Sequence, residues 1–568
     1  MNFKLRSLVA ATLAGSMLMG FGANAMADST DDILNALIAK GVLTEEEGAL
    51  LQKGRTGEKE AAAAKKLTSA TIKEKDGAFV LSSGDGKNTM ALTGRMHFDY
   101  KANDIGSFGD STIYPYNADA DTKSTGDHFN MRRARIGIKG RLGGMADYLL
   151  LANINGSSIL DEAYLDVNKF EPLGLKFGKF KQPMNLEIQT SSNNIDEIER
   201  SYVSQNVPEK KMGAMLHGEP KGLTYAGSIF QNNDSALSQQ DDRMSFAGRG
   251  TVNFAELMDN KEMVLHAGIN GYDSEYQIRP ESTGNTSDSA SSTTRGTIVA
   301  FNSGGQGLAN IFRAQIGGEA STTADYHAQS PSTSTVKNKK AGLESIFAYK
   351  NFKVQGEYSA AKYDAATQKY TSNVRQADET ISADVDTWYA EVAWILTGES
   401  YADIYKKGAF GAMKPKSPFD MEAGNGWGLW EASFRVDAFD VTNGNITGTT
   451  SDATRFQGGL NKYSTTTGDS NATGKIDTCS NKSGTSSGVT TVACATGVSS
   501  GAKSYTAGLK WVWNPNLVWK LNYTRTNFEN ATYPIDVGPA ADRKVSNAAR
   551  YNSFDHENLV MVRGQFSF

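Results

Sequence analysis

From residue 90 to the end of the chain, the sequence consists of segments of about ten residues in which apolar and polar side chains alternate. In residues 517–524, Leu, Trp, Leu and Tyr take one set of alternate positions, and Val, Lys, Asn and Thr take the other. A two-residue period places the two sets on opposite faces of a β-strand. The pattern therefore predicts an antiparallel sheet, which is either half of a soluble sandwich or the wall of a barrel in lipid.

Composition favours the barrel. The chain has 568 residues, of which 39% are hydrophobic and 10% aromatic, and its mean hydropathy is -0.44. A soluble chain of this length needs large apolar cores, whereas a disordered chain has few aromatic residues. Aromatic residues lie near the strand ends, and the last strand ends in Phe568, as in the sorting signal of bacterial outer-membrane barrels. The net charge of -5 lacks the basic excess typical of nucleic-acid binders.

The first 75 residues differ from the rest. Two basic residues, an uncharged apolar run and small-residue cleavage sites predict a secretory signal peptide over residues 1–27. Apolar residues at helical spacing, with a capping box from Thr44 to Glu47, predict a periplasmic helical segment over residues 28–75. Residues 76–568 are then the transmembrane β-barrel.

Sixteen candidate strands follow, an even number as in bacterial outer-membrane barrels. They lie near residues 90–102, 129–141, 144–155, 158–168, 173–181, 211–218, 222–232, 243–254, 262–272, 338–350, 351–362, 385–397, 426–439, 502–513, 517–528 and 556–568. Short turns alternate with long external loops. The exception is 398–425, which is long but falls on the periplasmic side. Residues 308–320 could form another strand, and we place them within the loop 273–337.

Basic side chains share one face of the first two strands and the last three. They are Arg95, Lys101, Arg133, Arg135, Lys139, Lys510, Lys520 and Arg563. Arg132 points outward by strict alternation, although a β-bulge at that strand end would turn it inward. A Lys or Arg facing lipid costs about 2–4 kcal/mol near the membrane midplane, so these residues are expected to line a water-filled lumen. The pattern predicts a basic wall and an anion path, with an ordinary solvated lumen as the alternative.

Carboxylates occupy other parts of the wall and the third loop. The wall positions are Glu162, Asp166, Glu357, Glu391, Glu431 and Asp437. The loop 182–210 carries Glu187, Asp196, Glu197, Glu199 and Arg200. If this loop folds inward, we expect it to constrict the pore, with its charges acting as a filter; otherwise it is a solvated external loop.

The remaining chemistry-bearing residues predict no catalytic, metal or cofactor site. The six histidines are scattered, and neither H-E-x-x-H nor G-x-S-x-G occurs. Cys479 and Cys494 lie in a Ser/Thr/Gly-rich stretch without metal-site or redox spacing. In an oxidising compartment they are expected to form a disulfide that closes a loop.

Short stretches in one order along most of the chain are similar to a known family. They are residues 34–47, 94–95, 99–100, 132–137, 177–183, 186–187, 190–192, 199–200, 278–282, 396–399, 408–411 and 414–415. In these stretches the chain resembles the phosphate-selective porins O and P of bacterial outer membranes. The resemblance implies a homotrimer of sixteen-stranded barrels that passes phosphate or other small anions along a basic ladder. It assigns Arg95, Arg132 and Arg133 to the pore arginines and Arg279 to a fifth-loop arginine.

The sequence also departs from the family pattern. Its fifth-loop motif has a single Arg, its third loop is rich in carboxylates, and the whole chain is acidic. A general or weakly cation-selective diffusion porin therefore stays open, as does a barrel for surface or cell-envelope attachment. The expected partners are small ions and solutes, outer-membrane lipid, further copies of the chain and, through the N-terminal helices, the cell wall; nucleic acid is not expected.

Overall fold

The computed structural model describes most of the predicted barrel and little before it. Residues 72–81 and 87–568 form one compact unit, which contains the barrel. The described residues are 44, 46, 69–75, 78–107, 127–156, 159–170, 172–232, 243–278, 296–308, 311–316, 334–367, 370–371, 374–375, 379–422, 424–447, 456–457, 460–461, 496–529, 532–534 and 551–568. The predicted signal peptide, nearly all of the predicted helical segment, Arg279, Cys479 and Cys494 lie outside them.

Sixteen antiparallel strands close into a barrel, as predicted. They are β1 Thr89–Ser107, β2 His128–Leu142, β3 Ala146–Asn153, β4 Leu160–Phe170, β5 Leu173–Lys181, β6 Lys210–Gly218, β7 Leu223–Gln231, β8 Ser245–Asn253, β9 Met263–Ile278, β10 Ser334–Tyr349, β11 Phe352–Thr367, β12 Glu379–Ile395, β13 Leu429–Thr447, β14 Thr496–Asn514, β15 Leu517–Phe528 and β16 Tyr551–Ser567. The last strand pairs with the first, Arg563 opposite Asp99, and this pairing closes the barrel. Each predicted strand overlaps one of these sixteen.

Shorter elements lie between the barrel strands and before them. Two four-residue helices, α1 Leu186–Gln189 and α2 Phe254–Leu257, and two 3-10 turns, Tyr202–Ser204 and Gly304–Gln306, are described. The short strands are Thr71–Lys75, Ala78–Ser82, Gly296–Phe301, Phe312–Ile316, Tyr370–Thr371, Val374–Arg375, Tyr405–Lys406, Ala409–Phe410, Phe456–Gln457, Leu460–Asn461 and Thr532–Pro534. None of the helices in the described parts of the chain is long and apolar enough to cross a membrane.

The alternation of the sequence sets the two faces of the wall. Along β10 buried and exposed residues alternate without a break, so that Leu343 and Phe347 point outward while Glu344 and Ile346 point into the barrel. At one end, which we call the turn end, strands are joined mostly by short turns such as residues 350–351, where Lys350 has φ 50°. The other end, the loop end, carries the long connections. In bacterial outer-membrane barrels the short turns face the periplasm.

Near the loop end, the lumen contains an apolar core. The predicted segment 308–320 does lie within a loop, where Phe312–Ile316 pairs with Gly296–Phe301 in a small separate sheet. Phe301 stacks on Phe439 of β13 with ring centroids 4.2 Å apart. The core also includes inward residues of β10–β15, among them Val336, Ile381, Val441 and Phe528. The inner face of these strand ends is apolar because a loop packs on it.

The long connection 396–428 also enters the lumen, from the turn end. The expectation that it falls on the side of the short turns is correct, because it joins β12 to β13 at that end. Tyr401, Phe410 and Met413 are buried against inward residues of the wall, including Ile346 and Ile395. This connection is therefore an insert that fills part of the barrel, and for this reason it is much longer than the other turns.

Candidate pore and its constriction loop

The third loop, residues 182–209, folds into the barrel between β5 and β6. Its helix α1 begins against the wall, where the backbone N–H groups of Leu186 and Glu187 donate to the Glu357 carboxylate at 3.0 and 2.9 Å. Farther along, Tyr202 is fully buried, and its hydroxyl lies 2.9 Å from Ser504 Oγ. The loop thus crosses the lumen and contacts strands that are distant in the sequence.

Glu199 is the strongest attachment of this loop to the wall. Its carboxylate accepts from Arg132 Nε at 2.9 Å and from Arg563 Nη2 at 2.6 Å, and Arg133 Nη1 lies 3.9 Å away. Arg563 also donates to both oxygens of Asp99 at 2.7 Å. Three of the arginines predicted to line the pore therefore surround one loop carboxylate.

Arg132 reaches Glu199 because of a β-bulge. In the pairing of β1 with β2, His97 is opposite Arg133 and Phe98 is opposite Met131, so Arg132 is the extra residue. A bulge breaks the two-residue period and re-aims one side chain. The side chain that strict alternation would place outward consequently points into the barrel.

The other predicted loop carboxylates also face the wall. Asp196 binds Lys353 and, at 3.2 Å, Lys510. Glu187 accepts from the Ser201 and Ser204 hydroxyls at 2.7 Å and lies 3.4 Å from Arg435. Glu187, Asp196, Glu197 and Glu199 are each 5% exposed or less. This geometry places them behind the loop, rather than on the surface of the passage where a filter would act.

Arg200 lies on the other side of the loop backbone. Its guanidinium donates to the Glu187 and Thr190 carbonyls at 2.8 and 3.1 Å and to the Glu209 carboxylate at 3.2 Å. It therefore braces the loop internally. Burial would raise the pKa of Glu209, but the charges of Arg200, Lys181 and Lys210 outweigh that effect and lower it to about 2.

The pKa values of two neighbouring loop carboxylates are shifted in opposite directions. Burial would raise the pKa of Glu199, but the adjacent guanidinium groups of Arg132, Arg563 and Arg133 hold it well below its usual value. Burial raises the pKa of Glu197 to about 7, because Arg435 and the Ser433 hydroxyl only partly oppose it. Glu199 is therefore ionised at neutral pH, while Glu197 titrates there.

We expect the third loop to be held more firmly at pH 5 than at pH 8. Since the folded pKa of Glu197 lies above its unfolded value, the folded loop binds more protons, and its stability falls as the pH rises from about 4.5 to above 7. The difference should be roughly 2–4 kcal/mol. Amide hydrogen exchange over residues 182–209, corrected for its intrinsic pH dependence, measures it. In Glu197→Gln this pH dependence should be lost; an equal dependence in the variant would contradict the assignment.

Three cavities inside the barrel border the third loop. On the loop-end side of the third loop, a cavity of about 510 Å³ is lined by residues that include Asp161, Lys179, Glu209, Lys210 and Lys211. On the turn-end side of the third loop lie cavities of about 1190 and 840 Å³, and Asp147 and Tyr164 line both of them. Because each of them is lined partly by third-loop residues, together they mark a candidate route through the barrel past this loop.

Of the other predicted pore residues in the described part of the chain, Arg95 and Lys139 line a cavity, whereas Arg135 and Lys101 are held by other parts of the protein. Arg95 lines the 840 Å³ cavity with Lys139, and it donates to the neutral Ser192 side chain of the third loop at 3.0 Å. Arg135 pairs with Asp161 at 3.0 Å. Lys101 donates to the Gln306 carbonyl at 2.8 Å, and so it holds the loop-end core instead of lining the passage.

Comparison with known proteins agrees with this architecture. The profile of the family "Phosphate-selective porin O and P" matches residues 98–471. This chain belongs to that porin family. Porin O of Pseudomonas aeruginosa is 28% identical over 409 residues, which cover 68% of this chain and 80% of that protein. The porin is accordingly an outer-membrane channel with a β-barrel fold.

Solved porins align with this porin at low identity. The anion-selective porin from Comamonas acidovorans is 9% identical with a TM-score of 0.40, and the alignment covers 85% of this chain and 100% of that one. The channel DcaP of Acinetobacter baumannii is 10% identical with a TM-score of 0.36, over 85% of this chain and 97% of that one.

Sequence reasoning missed a buried network at the turn end of the porin. Arg249 of β8 binds Glu344 of β10 with Nη2 to Oε1 at 2.6 Å, and His266 of β9 lies 3.0 Å from the same oxygen. Each residue occupies an inward position of its strand, so alternation could have placed all three in the lumen. Their meeting depends on strand register, which the alternation pattern leaves open.

Proposed function

We propose that this porin passes solutes by passive diffusion and favours small anions, including phosphate and other oxyanions. The observation that supports this most directly is the charge around the 840 Å³ cavity on the turn-end side of the third loop. Its described lining holds the cations Arg95, Lys139, Lys414 and Lys510 and one acidic side chain, Asp147. Of these cations, Lys510 is paired with Glu431 at 2.6 Å and with Asp196 at 3.2 Å, so Arg95, Lys139 and Lys414 carry the proposal. A basic constriction attracts anions through its field, and Arg adds directional hydrogen bonds to oxyanions.

The buried position of the loop carboxylates supports the same proposal. Asp196, Glu197 and Glu199 are directed at the wall, where lysine, arginine and polar side chains bind them. A charge that is closely paired in a low-dielectric site contributes little field at a distance. Of the cations on β1 and β2, Arg95 and Lys139 line the cavity at this level and supply its positive charge together with Lys414. The phosphate selectivity in the family's name fits an arginine-lined path of this kind.

A general, weakly selective channel is the second candidate, and one observation favours it. The 1190 Å³ cavity nearer the turn end is lined by almost equal numbers of basic and acidic side chains, seven and six respectively. The basic residues are Arg141, Lys176, Lys221, Arg249, Lys261, Lys406 and Lys407, and the acidic ones are Asp147, Asp166, Glu219, Glu256, Asp259 and Asp403. Ions that enter from this end meet little net charge before the constriction.

Measurements in planar bilayers separate the two candidates. In a KCl gradient we expect the reversal potential to have the sign of chloride permeation, and added phosphate should reduce the chloride current because both anions compete for the basic path. A reversal potential close to zero would support the general porin. Clear cation preference would contradict the anion proposal, since it would require the acidic residues of the larger cavity to control permeation.

Three further proposals concern the assembly of the porin, its N-terminal segment and its two cysteines. We propose that the porin forms a homotrimer, that residues 28–75 contact the cell wall, and that Cys479 and Cys494 form a disulfide. Cross-linking in native outer membranes tests the first of these. Accessibility of the thiols with and without reductant tests the last.

A further inference from the structure

The insert 396–428 carries a small β-hairpin that reaches into the lumen. Its strands Tyr405–Lys406 and Ala409–Phe410 pair through a two-residue turn, in which Lys407 has φ 56° and Gly408 has φ 69°. Two positive φ values in a row are typical of a type I′ turn, whose second position favours Gly. The hairpin borders the 1190 Å³ cavity, so its position bears on how wide this part of the route is.

The tip of the hairpin is held by one side chain of the wall. The Gly408 carbonyl accepts from Arg249 Nη2 at 2.7 Å. Arg249 is fixed in turn by Glu344, which accepts from its Nε at 3.0 Å and its Nη2 at 2.6 Å. The Arg249 side chain is 5% exposed and that of Glu344 is fully buried. A buried, charge-assisted pair of this kind fixes the guanidinium in one orientation.

A second contact holds the side of the hairpin to the same carboxylate. The Tyr405 hydroxyl lies 2.6 Å from His266 Nδ1, and His266 Nε2 lies 3.0 Å from Glu344 Oε1. A neutral imidazole satisfies both bonds, because Nε2–H donates to the carboxylate while Nδ1 accepts from the tyrosine. Asn270 Nδ2 donates to Glu344 Oε2 at 3.2 Å and completes the support.

We propose that Arg249, His266 and Glu344, here called the latch, are positioning residues that keep the hairpin inside the lumen and so set the width of the route at the turn end. The base of the insert is held by apolar packing of Tyr401, Phe410 and Met413. The tip of the hairpin, in contrast, is held by polar contacts with the latch. This proposal goes beyond the proposed function, because it concerns the size of the route and holds whichever ion is preferred.

Two substitutions weaken the latch from opposite sides. Arg249→Lys keeps a positive charge next to Glu344. An ammonium group, however, lacks the planar set of donors with which the guanidinium binds the Glu344 carboxylate and the Gly408 carbonyl at the same time. Gly408→Ala leaves the Arg249–Glu344 pair intact, but its Cβ would meet Arg249 Nη1 at 3.0 Å and Thr251 Oγ1 at 3.1 Å, at a φ of 69° that favours glycine. If Arg249 only balanced a buried charge, the lysine variant would behave like the wild type.

Limited trypsin digestion of the folded porin in detergent reports the position of the hairpin. Lys406 and Lys407 are cleavage sites in this hairpin, and their side chains are exposed. A protease cleaves the opened form of a segment, so the hydrogen-bonded hairpin that the latch holds should be cut slowly. Loss of hydrogen bonds to a charged group should increase the displaced population, and hence cleavage after these lysines, by roughly tenfold to a hundredfold. Single-channel conductance should rise in both variants, because the displaced hairpin no longer occupies the lumen.

Glu262→Gln is the control. Glu262 pairs with Lys350 at 3.6 Å at the same end of the barrel, both side chains are more than half exposed, and Glu262 is not among the residues that line the 1190 Å³ cavity, so its loss should leave both readouts unchanged. If either main variant fails to fold, Tyr405→Phe removes only the hydroxyl bound to His266 and should show a smaller increase in cleavage. Folded latch variants with wild-type cleavage and wild-type conductance would overturn the proposal, whatever the reversal potential shows.

Discussion

Replacing Glu199 with glutamine should release the third loop from the barrel wall. The carboxylate lies between Arg132 and Arg563, at 2.9 and 2.6 Å, with Arg133 at 3.9 Å, and a neutral amide would leave three arginines without their shared counter-charge. Breaking a buried ion pair by removing one partner typically costs about 3–5 kcal/mol. We expect the variant to unfold at lower temperature and its single-channel current to fluctuate as the loop moves.

Asp273→Asn provides the control for this experiment. Asp273 pairs with Lys339 at 3.0 Å, but both side chains are more than half exposed, so its loss should cost much less. The pH dependence gives a second check. Because the pKa of Glu199 is lowered, its contribution is present above the unfolded pKa of about 4.3 and is lost only as the pH falls through the folded pKa. The difference between variant and wild type should therefore stay constant from pH 6 to pH 8.

Reversing the charge of Arg95 should have the largest effect on selectivity. Its guanidinium lines the 840 Å³ cavity, and its hydrogen bonds go to neutral side chains of the third loop, Ser192 and Asn193. For a monovalent ion about 5 Å away, Arg95→Glu changes the interaction energy by about 2 kcal/mol at the dielectric constant of water. The ratio of anion to cation permeability should then fall by roughly tenfold or more, as measured by the reversal potential in a KCl gradient.

Lys339→Glu makes the same change in net charge at a site remote from this cavity. Lys339 is exposed and pairs with Asp273 across β9 and β10 at 3.0 Å. It should leave the reversal potential unchanged, because charges on the outer surface are screened by salt. If both reversals shifted selectivity equally, the effect would come from total charge, and the path along β1 and β2 would be the wrong explanation.

The sequence predicted the strands of the barrel wall well, but it predicted the loops and contacts inside the lumen only in part. The alternation of apolar and polar side chains identified every barrel strand. Because the outer face contacts lipid, every second residue has to be apolar, and this keeps the two-residue period. The alternation also indicated that Arg132 breaks the pattern unless a bulge intervenes, and the bulge is present. The strands β10–β14 extend farther toward the loop end than predicted, because their inner faces become apolar where a loop packs on them.

The charges inside the barrel could not be assigned to a role from the sequence. Glu199 was predicted as part of a possible filter and Arg563 as part of an anion path, yet the two lie 2.6 Å apart and bind each other. They are 364 positions apart in the chain, and only the closed barrel and the inward fold of the third loop bring them together. The same holds for Arg249 and Gly408, whose contact depends on the insertion of 396–428.

By itself, the sequence determined that this chain is a sixteen-stranded outer-membrane barrel with basic residues on the lumen face of its first and last strands. Those properties follow from a period of two along each strand and from the cost of placing charge in lipid. Only the tertiary structure decided which charged side chains form ion pairs that hold the loops and which line the cavities. That distinction depends on distances of a few ångströms between residues far apart in the chain, and electrostatic energy in a low-dielectric interior depends on those distances.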